Sequence, residues 1–201
     1  MYEHASDYEL IRAIAQKDTE AFKVFMTRYQ DRVFRTVYRF VGEAESTCDL
    51  VQDIFLKVYR SAHSYTPDAE LFTWLYRIIA NHCINFTVKQ KKDPLFMARE
   101  HSQPSGSSEV DRAHIESPEK NLLRQERSLR VRQALDSLPD RQKLAITLLR
   151  FEGLSYQEIS KILGCSVSAV ESLIFRGMET LKKILLKEFG SITESVGKEG
   201  P

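Results

Sequence analysis

Ser168, Ser172, Phe175, Arg176 and Glu179 fall on one side of a helical projection at about 100° per residue, away from the stripe of Val167, Val170 and Ile174. Hydroxyls and a guanidinium on one helix face can hydrogen-bond to base edges and phosphates. The DNA major groove is wide enough to admit such a helix. The elements that must hold this face are written in local chemistry. Ser155-Tyr156-Gln157-Glu158 has the form of a capping box, with the hydroxyl taking an orphan backbone N–H and the carboxylate reaching back. Gly164 supplies the left-handed residue that ends the helix after Leu163. Ser166 can cap the next helix, from Val167. Ile159, Ile162 and Leu163 line one side of the first helix, so two apolar stripes face each other across a short Gly-containing turn. That is a helix-turn-helix. A helical corner inside a larger bundle would use the same pattern.

Two further constellations lie in the first half. "LFTWLYRIIANHCINF" packs Phe72, Trp74, Tyr76 and Arg77 closely and leads into Lys89, Lys91 and Lys92. Aromatic rings beside a basic run suit unpaired bases stacked next to a tracked phosphate backbone; rings serving only the core are the alternative. Upstream, Asp49, Gln52, Asp53, Leu56 and Arg60 share one helix face opposite Leu50, Val51, Ile54, Phe55 and Val58. An acidic and amide stripe with one exposed leucine fits a basic partner surface, or is a solvated face.

The elements are helical throughout, and no period-2 strand pattern competes, so the expected fold is all-α, with two small helical domains joined by a flexible linker. The first domain covers 7–92. Asp7 can cap a short helix ending near Lys17. A second helix runs from about Thr19 to Phe40 and stops at Gly42. A third starts at the box Ser46-x-x-Asp49, and a fourth runs from about Ala69 to Lys91 after the Pro67 loop. Over 93–121 the periodicity disappears. "SQPSGSSEV" is linker composition, and from Asp93 to Lys120 six acids face three bases. A second domain, 122–189, holds four helical patterns broken at Leu138-Pro139, Gly153 and Gly164. The stretch 190–201 reads as a disordered tail. From Leu129 to Lys187 there are ten bases against six acids, although the whole chain is nearly neutral, with 29 basic and 28 acidic residues. Nucleic-acid affinity must therefore come from local segregation of charge.

Cys48, Cys83 and Cys165 form no CxxC pair, which fits reduced thiols in a cytosolic protein. A zinc site from His82, Cys83 and Cys48 is the weaker reading. The opening MYEHASDYEL lacks the basic and apolar regions of a signal peptide, and no apolar run reaches the roughly 20 residues of a membrane span. The expected location is the cytoplasm, with no membrane insertion.

Four segments, "CDLVQDIFLKVYR", "FTWLYRIIANHCIN", "LDSLPDRQKLAITLLRFEGLSYQEISKILGCSVSAVES" and "FRGMETLKK", stand in this order with the gap between the second and third. In this they resemble bacterial RNA polymerase sigma factors of the extracytoplasmic-function (ECF) group, which keep only the sigma-2 and sigma-4 domains. The resemblance covers roughly Ala21 to Lys187. It implies an alternative sigma factor without catalytic residues or cofactor, which binds core RNA polymerase and directs it to promoters. Asp49, Gln52, Asp53 and Leu56 would dock on the β′ coiled coil. The Ser64–Glu70 loop and Phe72 would take a flipped −10 base, with Trp74, Asn81 and Lys89 at the duplex edge and strand. Ser168, Glu171, Ser172, Phe175 and Arg176 would read the −35 element, and the second domain would also meet the β flap. An anti-sigma factor is the expected regulator. Many members carry basic residues where this chain has Glu171 and Leu173, so the −35 sequence is not inherited from them. The competing reading is a helix-turn-helix regulator that acts without core polymerase, typically as a dimer on a palindrome. An enzyme is disfavoured because His63, His82, His101 and His114 stand near no defensible ligand or acid–base set.

Overall fold

The computed structural model describes residues 2, 4–66, 70–92 and 118–196, and among these all regular structure is helical. The first block is α1 (Asp7–Ala15), α2 (Thr19–Val41), α3 (Ala44–Ser61), a 3₁₀ turn (Ala62–Ser64) and α4 (Leu71–Gln90). The second is α5 (Pro118–Asp136), α6 (Asp140–Phe151), α7 (Tyr156–Leu163) and α8 (Val167–Val196).

Local chemistry sets most of the boundaries. Ser6 and Glu9 form a reciprocal capping box on α1. The Asp18 carboxylate accepts from the amides of Glu20 at 2.9 Å and Ala21 at 3.0 Å to start α2. Gly42, at φ 86°, ends α2 in the left-handed region that glycine enters without penalty. The sequence places the start of α3 at Ser46, and the structure corrects this. Glu43 is the cap, accepting from the amides of Glu45 and Ser46, so Ser46 lies inside the first turn. The long Glu side chain reaches both amides because the chain has just turned at Gly42.

Two outer boundaries also shift. The helix before the second domain begins at Pro118, a residue whose fixed φ suits the first helical position; 118–121 are therefore helical, and the rest of the expected linker lies outside the described residues. The last helix continues to Val196, so 190–196 are helical rather than a tail. One glycine, Gly190, lowers helix propensity by only about 1 kcal/mol.

The helix-turn-helix is built as its sequence implies. The Ser155 hydroxyl accepts from the Glu158 amide at 3.3 Å, and Glu158 Oε2 accepts from the Ser155 amide at 2.7 Å. Gly164 is left-handed at φ 61°, and Ser166 Oγ accepts from Ala169 N at 3.2 Å. Ile159, Ile162, Val170 and Ile174 are buried. Val167, expected in the stripe, is exposed because it sits at the first, uncovered turn of α8. The hydroxyl and amide of Ser155 hold the Glu158 carboxyl below its ordinary pKa. The stability this box contributes is thus present above the unfolded carboxylate range and lost as pH falls through the folded value. Ser155→Ala is expected to cost about 1 kcal/mol, roughly 2–4 °C in Tm for a chain of this size, measured by thermal melting at neutral pH.

The two blocks are not separate bodies in this conformation. Buried Leu10, Phe25, Ile54, Leu75 and Ile79 of the first and Leu144, Leu148, Leu154, Ile159 and Val170 of the second belong to one continuous core. A smaller cluster, with Ala134, Leu135, Leu138, Ile146 and Leu181, ties α5 and α6 to α8. Gly177 permits that close approach, since a Cβ there would lie 2.6 Å from Ile146 Cδ1.

Candidate nucleic-acid interface

At the start of α8, Ser168, Glu171, Ser172, Phe175 and Arg176 are all exposed, Phe175 at 69 %. An exposed phenylalanine among polar neighbours, on a helix whose other face is buried, leaves a ring with no role in the core. The serines are engaged locally: Ser172 Oγ donates to the Ser168 carbonyl at 2.9 Å, and the Ser168 and Ser166 hydroxyls lie 3.0 Å apart. Each keeps lone pairs for a further contact.

On α4 the expected residues divide between two faces. Trp74 is half-buried, with its ring edge-on to Tyr65 at 5.5 Å. Asn81 is exposed about two turns further on, over the same face. Asn85, spaced i+4 from Asn81, extends that exposed face. The sequence reading passed over it, although the i, i+4 pair of amides was visible. Lys89 is exposed near the end of the helix. Phe72 points elsewhere. Its ring meets Tyr29 edge-on at 5.9 Å and lies beneath the Arg32 guanidinium at 4.6 Å. Of the loop before α4, residues 67–69 lie outside the described residues.

Asp49, Gln52, Asp53 and Leu56 form one exposed stripe along α3, with Arg60 at its end. Among the described residues neither acid has an ion-pair partner within the chain. His82 on α4 stands behind the stripe, its pKa lowered by burial, with the Asp53 carboxylate pulling the other way.

The zinc reading gains no support from the geometry. Among the described residues no three His, Cys, Asp or Glu side chains converge on a metal-sized site. Cys83 is fully buried, and burial pushes its thiol up to about 12, which keeps it protonated. No helix among the described residues is long and apolar enough to cross a membrane.

The contacts least visible in the sequence join the two blocks. Glu152, after α6, has a side chain only 5 % exposed. It accepts from Arg32 Nε at 3.2 Å, from Thr36 Oγ1 at 2.6 Å and from the Tyr76 hydroxyl, with Arg39 Nη1 at 3.6 Å. Burial, then the bond to Glu152, raises the Tyr76 pKa, so the phenol stays a donor. Lys143 is buried and donates to the Phe40 carbonyl at the end of α2 and to Asp136 Oδ1 at 2.6 Å. Asp140 Oδ2 accepts from Thr87 at 3.0 Å and Lys91 at 2.7 Å, and Arg77 donates to the Lys161 carbonyl at 2.7 Å. The second block therefore leans on the same α4 that carries Phe72 and Trp74.

The sequence model of Sigma-70 region 2 matches residues 25–93, and that of Sigma-70, region 4 matches residues 128–181. The chain is 34 % identical over 187 residues to the RNA polymerase sigma-H factor of Pseudomonas aeruginosa, covering 92 % of this chain and 96 % of the relative. It is 34 % identical over 186 residues to the ECF RNA polymerase sigma-E factor of Escherichia coli K12, covering 90 % and 95 %. The chain belongs to the ECF sigma factors. The fold of this sigma factor agrees with two solved structures. One is CnrH in complex with the cytosolic domain of CnrY, with TM-score 0.62 and 24 % identity over 89 % of this chain and 96 % of that one. The other is the sigma factor RpoE in complex with the anti-sigma factor NepR from Bartonella quintana, with TM-score 0.63 and 20 % identity over 82 % and 96 %. As an ECF sigma factor, the chain directs RNA polymerase to promoters.

Proposed function

We propose that the labour of initiation is divided among the three exposed faces. The α8 face, with Ser168, Glu171, Ser172, Phe175 and Arg176, enters the major groove of the −35 element. The α4 face, with Trp74, Asn81 and Lys89, together with Phe72, works at the −10 element as it opens. The α3 stripe of Asp49, Gln52, Asp53 and Leu56 docks on the basic β′ coiled coil of core polymerase, and the second block also meets the β flap. The protein makes no covalent bond; its contribution is binding, in the cytoplasm, where polymerase and promoter are found. An anti-sigma factor that covers one of these faces is the expected regulator. The observation that carries the reading is the pairing of an exposed Phe175–Arg176 helix face with a buried opposite face.

Genome-wide run-off transcription with core polymerase, with and without the chain, tests it: new start sites are expected, and their absence defeats the reading. Trp74→Ala is expected to leave closed complexes intact but slow opening, because base stacking is worth roughly 1–3 kcal/mol per base. Permanganate footprinting measures the opening, and a thermal melt separates it from loss of the half-buried ring's packing against Tyr65.

A further inference from the structure

Glu152 is an unusual tenant of the first block. Its carboxylate, contributed by the second block, is sealed among two guanidiniums, a hydroxyl and a phenol that all belong to α2 and α4. The donors are less enclosed than the acceptor: the Arg32 side chain is 40 % and the Arg39 side chain 35 % exposed, against 5 % for Glu152. Remove the second block and what is left on the first is a set of two cations and two neutral donors. Arg32 and Tyr76 then face the place of one carboxylate oxygen, and Thr36 and Arg39 that of the other. Forked guanidiniums bind phosphate as well as carboxylate. The ring beside them indicates which anion. Arg32 lies over Phe72 at 4.6 Å and reaches Tyr76 at 5.6 Å, so a cation and the aromatic ring it covers are adjacent. A nucleotide uses both, phosphate on the cation and base on the ring. An acidic peptide uses only the first.

We propose that Arg32, Arg39, Thr36 and Tyr76 form a binding site for a backbone phosphate of single-stranded DNA, and that Glu152 occupies this site in cis while the two blocks are packed together. The inference rests on the placement of α4 at the melted strand. Separation of the blocks withdraws the carboxylate, frees Arg32 from its pinned position over Phe72 and exposes ring and cations together. Packing of the blocks does the reverse, so the free chain holds its own strand site closed.

The test uses the full chain and a labelled single-stranded oligonucleotide of mixed sequence, followed by fluorescence anisotropy across a salt series. Glu152→Ala is expected to bind about tenfold tighter than wild type, the scale of one charge-assisted contact, with a salt slope steeper by about one unit. Adding Arg32→Gln and Arg39→Gln to Glu152→Ala should reverse both changes. Equal affinity of Glu152→Ala and wild type, or a gain that survives loss of the arginines, overturns the proposal. Glu152→Gln, which keeps the shape without the charge, carries the same expectation should the alanine variant fold poorly. A second readout needs no opening of the blocks: inorganic phosphate should raise the Tm of Glu152→Ala but not of wild type at matched ionic strength, and no such rise counts against the site. Polyglutamate that displaces the oligonucleotide as well as unlabelled DNA does would reassign the site to acidic protein and overturn the nucleic-acid claim. Trp74→Ala in the Glu152→Ala background separates the two readings. If it leaves binding unchanged while the arginine changes abolish the gain, the α4 assignment fails and the phosphate site stands.

Discussion

Asp53→Arg is expected to abolish stable binding to core polymerase while leaving the fold unchanged. Asp53 sits at the centre of the α3 stripe, exposed, between Asp49 one turn before and Leu56 one turn after. The buried side of α3, with Leu50, Ile54, Phe55 and Val58, does not include it. A basic coiled coil laid on this stripe would pair its cations with Asp49 and Asp53, and Leu56 would cover the apolar part of the contact. Reversing the central charge removes one partner of such a pair and sets like charges against each other. Loss of a desolvated interfacial charge pair costs about 2–5 kcal/mol, from roughly thirty-fold to several thousand-fold in Kd. Size-exclusion co-elution with core polymerase reads the effect, and circular dichroism checks the helices. Elution with core at wild-type affinity would return the stripe to a solvated surface. A milder change at the flank, Arg60→Ala, is expected to do little, since it lies beyond the acidic centre of the stripe.

The stretches that could be read in advance are those in which cause and effect lie within four residues. Ser155 and Glu158 cap α7 and Ser166 starts α8 through bonds over three positions, and Gly164 ends α7 with its amide donating to the Ser160 carbonyl four positions back. Apolar periodicity placed the core face of α3 for the same reason. The misplaced start of α3 shows the limit of such rules: Ser46 fits the pattern, but Glu43, longer and nearer to the Gly42 turn, takes the amides first. What could not be read is the joint between the blocks. Glu152 meets Thr36 and Tyr76 across 116 and 76 positions, and Lys143 meets Phe40 across 103. Nothing in the neighbourhood of Glu152 distinguishes it from a surface acid; only the fold sets two arginines around it. The same cause separates Phe72 from Trp74. Both stood out as aromatics in one short segment, yet residues two apart on a helix point to different sides. One ring lies under Arg32 and the other against Tyr65.

Glu171→Arg is expected to change which base is preferred at one −35 position. Helical geometry sets Ser168, Ser172, Phe175 and Arg176 at the middle of the exposed α8 face and Glu171 on its flank, beside buried Val170. A recognition helix enters the groove obliquely with its first turns, so flank residues also reach base edges. The Glu171 carboxylate can only accept, which suits the amino group of cytosine. Discrimination by one such contact is about 1–3 kcal/mol. An arginine in its place can only donate, and it fits the O6 and N7 acceptors of guanine, so the preference should move towards guanine. Arg176, exposed about a turn and a half beyond Glu171, is expected to hold phosphate. Arg176→Ala should weaken all −35 sequences alike and lower the salt slope by about one unit. A randomised −35 library transcribed by core polymerase with each variant distinguishes these outcomes. A base preference unchanged by Glu171→Arg would leave Glu171 an acid on the helix surface, and a sequence-selective loss with Arg176→Ala would move that side chain from the phosphate to a base.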